Sequence, residues 1–107
     1  MVNEIDSESL HRRLAAGDDL LLVDIRTPNE VAGGAIPGAR MLPMHLLPLQ
    51  LNDLPQDRDL VLYCHSGARS YHSTAYLKQQ GWGRALNLRG GILAWARHGY
   101  EIASPRH

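Results

Sequence analysis

Cysteine is almost missing from this chain: Cys64 is the only one in 107 residues. That excludes an internal disulfide framework and leaves either an inert core thiol or a reactive one. An excess of charge of one sign is also missing. Eleven basic and eleven acidic residues give a formal net charge of zero. The broad basic surface that nucleic acid or an anionic membrane requires is therefore not expected, although a local basic pocket stays open. No apolar run approaches the roughly 20 residues of a membrane-spanning helix. Met1 to Leu14 mixes Glu4, Asp6, Glu8, Arg12 and Arg13 with apolar residues and lacks the apolar stretch of a secretory signal. With a lone thiol suited to a reducing compartment, these features predict a cytoplasmic protein. What is present is ordinary for a globular fold: hydrophobic residues make up 44%, and the length fits one domain, expected over residues 1–107.

Short apolar runs alternate with helical patterns. Asn3 to Ile5 reads as a first strand. Asp6 or Ser7 reads as a helix N-cap, with Leu10 and Leu14 on one face and Gly17 ending the helix. Leu20 to Val23 and Leu60 to Tyr63 are continuous apolar runs, expected of strands covered on both faces of a parallel sheet. Thr27-Pro28-Asn29 reads as a turn. Between Ile36 and Leu54, Pro37, Pro43 and Pro48, with Pro55 just after, punctuate a turn, a short strand near Arg40 to Leu42 and a short helix near Met44 to Leu51, which Pro48 breaks or kinks. Residues 70–80 read as a helix with Ala75, Tyr76 and Leu77 available for the core. Ala85 to Leu88 reads as a strand, Gly90-Gly91 as a break, and Ile92 to His98 as a last helix. The alternation predicts an α/β sandwich around a mostly parallel sheet, with any site at the carboxyl ends of the strands, where Asp24 and Cys64 fall.

Cys64-His65-Ser66-Gly67-Ala68-Arg69-Ser70 links a buried strand to a helix. A loop that curls from strand to helix turns successive N–H groups inward, and such a nest stabilises a thiolate. Gly67 permits the unusual backbone angles this needs, Ser70 can cap the following helix, and Arg69 can offer a planar cation to an anionic substrate. His65 could add a second partial charge. The plainer alternative is a core cysteine followed by an ordinary turn.

The loop resembles the active-site loop of rhodanese-like domains, and three other stretches support the resemblance in the expected order. Asp24-Ile25-Arg26 with Glu30 is similar to the family's Asp-x-Arg segment and its following glutamate. Gly34-Ala35-Ile36-Pro37-Gly38-Ala39 is similar to its Gly-His-Ile-Pro-Gly-Ala segment. Gly90-Gly91-Ile92-Leu93-Ala94-Trp95 is similar to its Gly-Gly-x-x-x-Trp ending. The resemblance implies a five-stranded, mostly parallel sheet flanked by helices in a three-layer α/β sandwich. It implies a thiosulfate sulfurtransferase, with Cys64 carrying sulfur as a persulfide. The donor would be a small sulfur-containing anion, and the acceptor cyanide in assay or a thiol or thiol protein in the cell. The amides of His65, Ser66, Gly67, Ala68, Arg69 and Ser70 would cradle the outer sulfur, and Arg69 would bind the anionic donor. Asp24, Arg26 and Glu30 would order the loops nearby, with Arg26 paired to Glu30 or Asp24. No metal or organic cofactor is implied, no nucleic acid or membrane partner, and a monomer is expected. Three positions depart from the pattern: Ala35 stands for a common histidine, His65 for a common arginine, and Tyr100 for a frequent proline.

Rival readings remain open on the residues. A cysteine phosphatase or arsenate reductase also sets a thiolate in a loop of amides with an arginine. Phosphatase loops place five residues between cysteine and arginine, whereas four stand here. A rhodanese-like interaction or sensing domain is the non-enzyme rival. A metal site of Cys64, His65 and His72 would lack a second thiolate. His11, His45, His98 and His107 read as solvated, Trp95 as core, and Trp82 as either.

Overall fold

Five parallel strands form one sheet in the order Glu4–Ile5, Ala85–Leu88, Asp59–Tyr63, Leu20–Asp24 and Arg40–Met41. The computed structural model describes residues 1–104; His107, expected to be solvated, lies outside the described residues. The strands are β1 (Glu4–Ile5), β2 (Leu20–Asp24), β3 (Arg40–Met41), β4 (Asp59–Tyr63) and β5 (Ala85–Leu88). The helices are α1 (Ser7–Ala15), α2 (Pro28–Ala32), α3 (Ala68–Gln79) and α4 (Gly91–Arg97). A 3-10 helix over Met44–Asp53 contains Pro48 and is interrupted at Gln50, which has φ −117°.

Alternation along β4 explains its continuous apolar sequence. Leu60, Leu62 and then Cys64 face one layer, with Leu47, Leu54, Leu77 and Trp82. Val61 and Tyr63 face the other, with Leu10, Ile92 and Trp95. Successive strand side chains point to opposite faces, so a central strand with helices on both sides has no polar position to spare. The three layers are thus α1 and α4, the sheet, and α3 with the 3-10 helix. Trp82 resolves as core: it is 8% exposed, and its Nε1 donates to the Leu54 carbonyl at 3.2 Å.

Several local expectations are corrected. Thr27-Pro28-Asn29 opens a helix rather than a turn. Thr27 is the N-cap, Glu30 completes a capping box, and Pro28 takes the first helical position, where its missing N–H costs nothing. The buried face of α3 is Ser70, Ser73, Thr74 and Leu77; Tyr76 is half-buried but packs against the core as expected, whereas Ala75 is only half-buried. Asp6, not Ser7, caps α1, accepting from the Ser9 amide at 2.8 Å. His11 and His98 are exposed yet organised: both rings stack on Tyr100, with centroids 4.0 and 5.3 Å away.

Candidate active site

Cys64 follows the last residue of β4, and its side chain is 1% exposed. Burial alone would fit an inert core thiol. The surroundings of the sulfur do not: Sγ accepts from the Gly67 amide at 3.1 Å and lies 3.4 Å from Ser70 Oγ. Burial pushes the thiol up. Donors of the loop at Ser70, Gly67 and Arg69 outweigh it, and the net shift is downward.

Gly67 makes this turn possible. It sits at φ +99° as the residue before α3, a conformation that a side chain resists. It is also packed too closely for one, because a Cβ there would lie 3.1 Å from the Gly90 nitrogen. The helix cap is therefore Gly67 and not Ser70, which sits inside the first turn of α3 with its hydroxyl directed at Cys64 and Asn87.

The start of α4 closes the loop from the other side. Ile92 N–H donates to the Cys64 carbonyl and Leu93 N–H to that of His65, each at 3.0 Å. This approach requires Gly91, where a Cβ would fall 2.6 Å from the Cys64 oxygen and closer still to that of His65. The Gly-Gly pair read as a chain break is thus a close-packing device. His65, Ser66 and Ala68 are exposed.

Arg69 does not stand free. Its two terminal nitrogens bind the Glu30 carboxylate at 2.8 and 2.7 Å. This pairing, with help from the Thr27 amide, holds the Glu30 carboxyl down at about 2. Arg69 also borders a cleft of about 440 Å³ lined by Ile25, Thr27, Pro43, Met44 and His45. Behind it, Arg26 pairs with Asp24 and not with the Glu30 carboxylate: Nη2 to Oδ2 is 2.8 Å and Nε to Oδ1 is 3.0 Å. Arg26 Nη2 also donates to the Gly34 carbonyl at 2.7 Å, fastening the Gly34–Ala39 segment. That segment, where Ala35 replaces histidine, is pinned by paired backbone bonds between Ala35 and Ala103 at 2.8 Å. Tyr63, whose phenol burial pushes up, accepts from the Ile36 amide at 3.1 Å. His72 does not approach Cys64; it is exposed on α3, edge-on to Tyr71.

The residue that sequence reasoning missed is Asn87. It is 1% exposed in β5 and bridges Ser70, the Gly67 carbonyl and Glu4. The available signal was a polar residue inside the apolar run Ala85 to Leu88, since a buried amide needs partners.

The sequence profile of the rhodanese-like domain matches residues 6–98. A sulfurtransferase of Allochromatium vinosum is 67% identical over 98% of both chains. The thiosulfate sulfurtransferase GlpE of Stutzerimonas stutzeri is 38% identical over 90% of this chain and 85% of its own. Among solved structures, a rhodanese-like domain protein from Staphylococcus aureus superposes with a TM-score of 0.85 at 34% identity, covering 96% of this chain and all of that one. A parallel sheet in this strand order, a cysteine loop at the end of its central strand, and matches over nearly the whole length lead to one family: the chain belongs to the rhodanese-like domains, beside relatives named as sulfurtransferases.

Proposed function

We propose that the chain, acting as a single domain over residues 1–107, is a thiosulfate-type sulfurtransferase that carries sulfane sulfur on Cys64. The observation that carries this reading is the position of Sγ, at the centre of a loop whose Gly67 amide already donates to it. The Cys64 thiolate attacks the outer sulfur of thiosulfate. A new Sγ–S bond forms, the S–S bond of the donor breaks, and sulfite leaves with its electron pair. The negative charge then rests on the outer persulfide sulfur, and the loop amides from His65 to Ser70 receive it. A thiol or cyanide attacks that sulfur next and returns the thiolate, a double displacement that consumes no metal or organic cofactor.

Four residues between Cys64 and Arg69 favour this reading over phosphoryl transfer, because a phosphoryl group presents three equatorial oxygens and needs a wider cradle. The acceptor is a thiol or thiol protein in the cytoplasm, and the working unit is a monomer. Intact mass after incubation with thiosulfate tests the proposal: a gain of about 32 Da, removed by cyanide and prevented by Cys64→Ser, is the expected mark of the covalent intermediate. No adduct with thiosulfate, polysulfide or any other sulfane donor would overturn it.

A further inference from the structure

Ser70 is asked for more than it has. Its Oγ lies 2.6 Å from Asn87 Oδ1 and 3.4 Å from Cys64 Sγ, and a hydroxyl carries one proton. The Asn87 amide cannot turn round to relieve this. Its Nδ2 faces the Glu4 carboxylate at 2.8 Å and the Gly67 carbonyl at 3.3 Å, both acceptors only, so Oδ1 must face Ser70. Oδ1 can only accept, and at 2.6 Å it takes the Ser70 proton.

The protonation state of Cys64 then matters. As a thiol, Cys64 is compatible with this arrangement, because S–H can donate to the lone pair of Ser70 Oγ. As a thiolate it needs the hydroxyl turned towards it, which leaves Oδ1 of a buried residue without a donor. A persulfide makes no such demand, since its inner sulfur is neutral.

We propose that Asn87 is a positioning residue of the sulfur-transfer site: it holds the Ser70 hydroxyl proton away from Cys64 and so keeps the unloaded cysteine protonated more than the loop alone would. This rests on Cys64 being the sulfur carrier, but its test reads the thiol directly and does not depend on turnover. The other ionisable groups around the pair stay in place throughout. They are Arg69 with Glu30 on the α3 side, Asp24 with Arg26 at the end of β2, Glu4 with Arg89 behind Asn87, and the exposed His65 in the loop.

The experiment is the pH dependence of Cys64 alkylation by iodoacetamide, together with ultraviolet thiolate absorbance. It is run on the wild type, Asn87→Leu, Ser70→Ala and the double variant. Asn87→Leu removes the acceptor at similar volume, and the Gly67 carbonyl keeps its bond from the Tyr71 amide at 3.0 Å. The expected result is a fall in the apparent thiol pKa of about one unit, or about tenfold more thiolate at a fixed pH below it. In the Ser70→Ala background the same substitution should shift it by less than about 0.3 unit, because the proton in dispute is gone. An unchanged or raised pKa in Asn87→Leu overturns the proposal. So does a fall that survives Ser70→Ala, which would place the effect in the loop backbone. Should Asn87→Leu not fold, Ser70→Ala decides alone: a shift within about 0.3 unit supports the proposal, and a rise of about one unit overturns it.

Discussion

In the proposed reaction, donor choice turns on the Arg69–Glu30 ion pair. A guanidinium bound through both terminal nitrogens to a carboxylate presents little net charge to an incoming anion. Glu30→Gln keeps the shape and cancels the negative charge, so the KM for thiosulfate should fall, by about threefold to tenfold if one partly exposed charge is released. Arg69→Ala should raise it, with a smaller effect on an uncharged sulfane donor. Steady-state kinetics with both donors reads the two signs. Thiosulfate KM rising in both variants would mean that the pair shapes the loop and does not select the donor. The same pair gives an acid limb. The Glu30 carboxyl is depressed from 4.5 to about 2, so its stabilisation is present above pH 4.5 and is lost as pH falls towards 2. Both side chains are more than a third exposed, so solvent screening keeps this contribution under about 1 kcal/mol. Glu30→Gln should flatten that limb in urea unfolding measured from pH 5 to 2.

At the scale of elements, the close approach of α4 to the cysteine loop sets what glycine must do. Gly91 and Gly99 both have positive φ, +60° and +78°. A Cβ at Gly99 meets nothing within 4 Å, whereas one at Gly91 strikes the carbonyls of Cys64 and His65. Gly99→Ala should therefore cost only the backbone strain, about 1–2 kcal/mol. Gly91→Ala should cost that and more, about 3 kcal/mol or above, and should slow sulfur loading because the loop carbonyls must move. Denaturant unfolding and persulfide formation, measured on both variants, separate strain from approach. Equal losses would mean that the approach is slack. The same contrast explains what was legible in the sequence. Strands β2 and β4 were readable because their middles are buried on both faces and the runs Leu20 to Val23 and Leu60 to Tyr63 are apolar throughout. The five residues of α2 were not, since one buried side chain, Val31, makes no periodicity and Thr-Pro-Asn serves equally as a turn or as a helix start. Cys64, Gly67 and Arg69 announced themselves by type and order. Asn87 and the inward direction of the Ser70 hydroxyl did not, because a buried hydrogen bond across 17 residues is created by the sheet and not by any local spacing.

The whole molecule is polarised along its strands. At the carboxyl end of β2 and β4 lie Asp24, Cys64 and the loops they fasten. At the opposite end, Asp59 opens β4 and binds Arg13 of α1 at 2.9 Å and Arg84 before β5 at 3.0 Å, while Arg13 also holds Asp18 at 3.0 Å. Both ends are ionic, but burial makes them unlike. Asp24 is fully buried and Arg26 is 5% exposed, so removing one partner strands a charge, at about 3–5 kcal/mol. Asp59 is partly exposed, and the charges it would leave behind remain hydrated. Asp59→Ala should cost about 1 kcal/mol, a fall in Tm of about 4–8 °C, which added salt should shrink. Its alkylation rate at Cys64 should equal the wild type's, because the ion cluster sits a strand length from the sulfur. Arg26→Met should lower stability far more and also change the alkylation rate, because Arg26 fastens the Gly34 carbonyl at the same end of the sheet as Cys64. Thermal melts paired with alkylation rates test the division. A changed Cys64 reactivity in Asp59→Ala would mean that the strands transmit strain from one end of the sheet to the other. Reactivity unchanged in both variants would mean that the cysteine loop is held by α3 and α4 alone, through Gly67, Gly91 and the two amides that reach the Cys64 and His65 carbonyls.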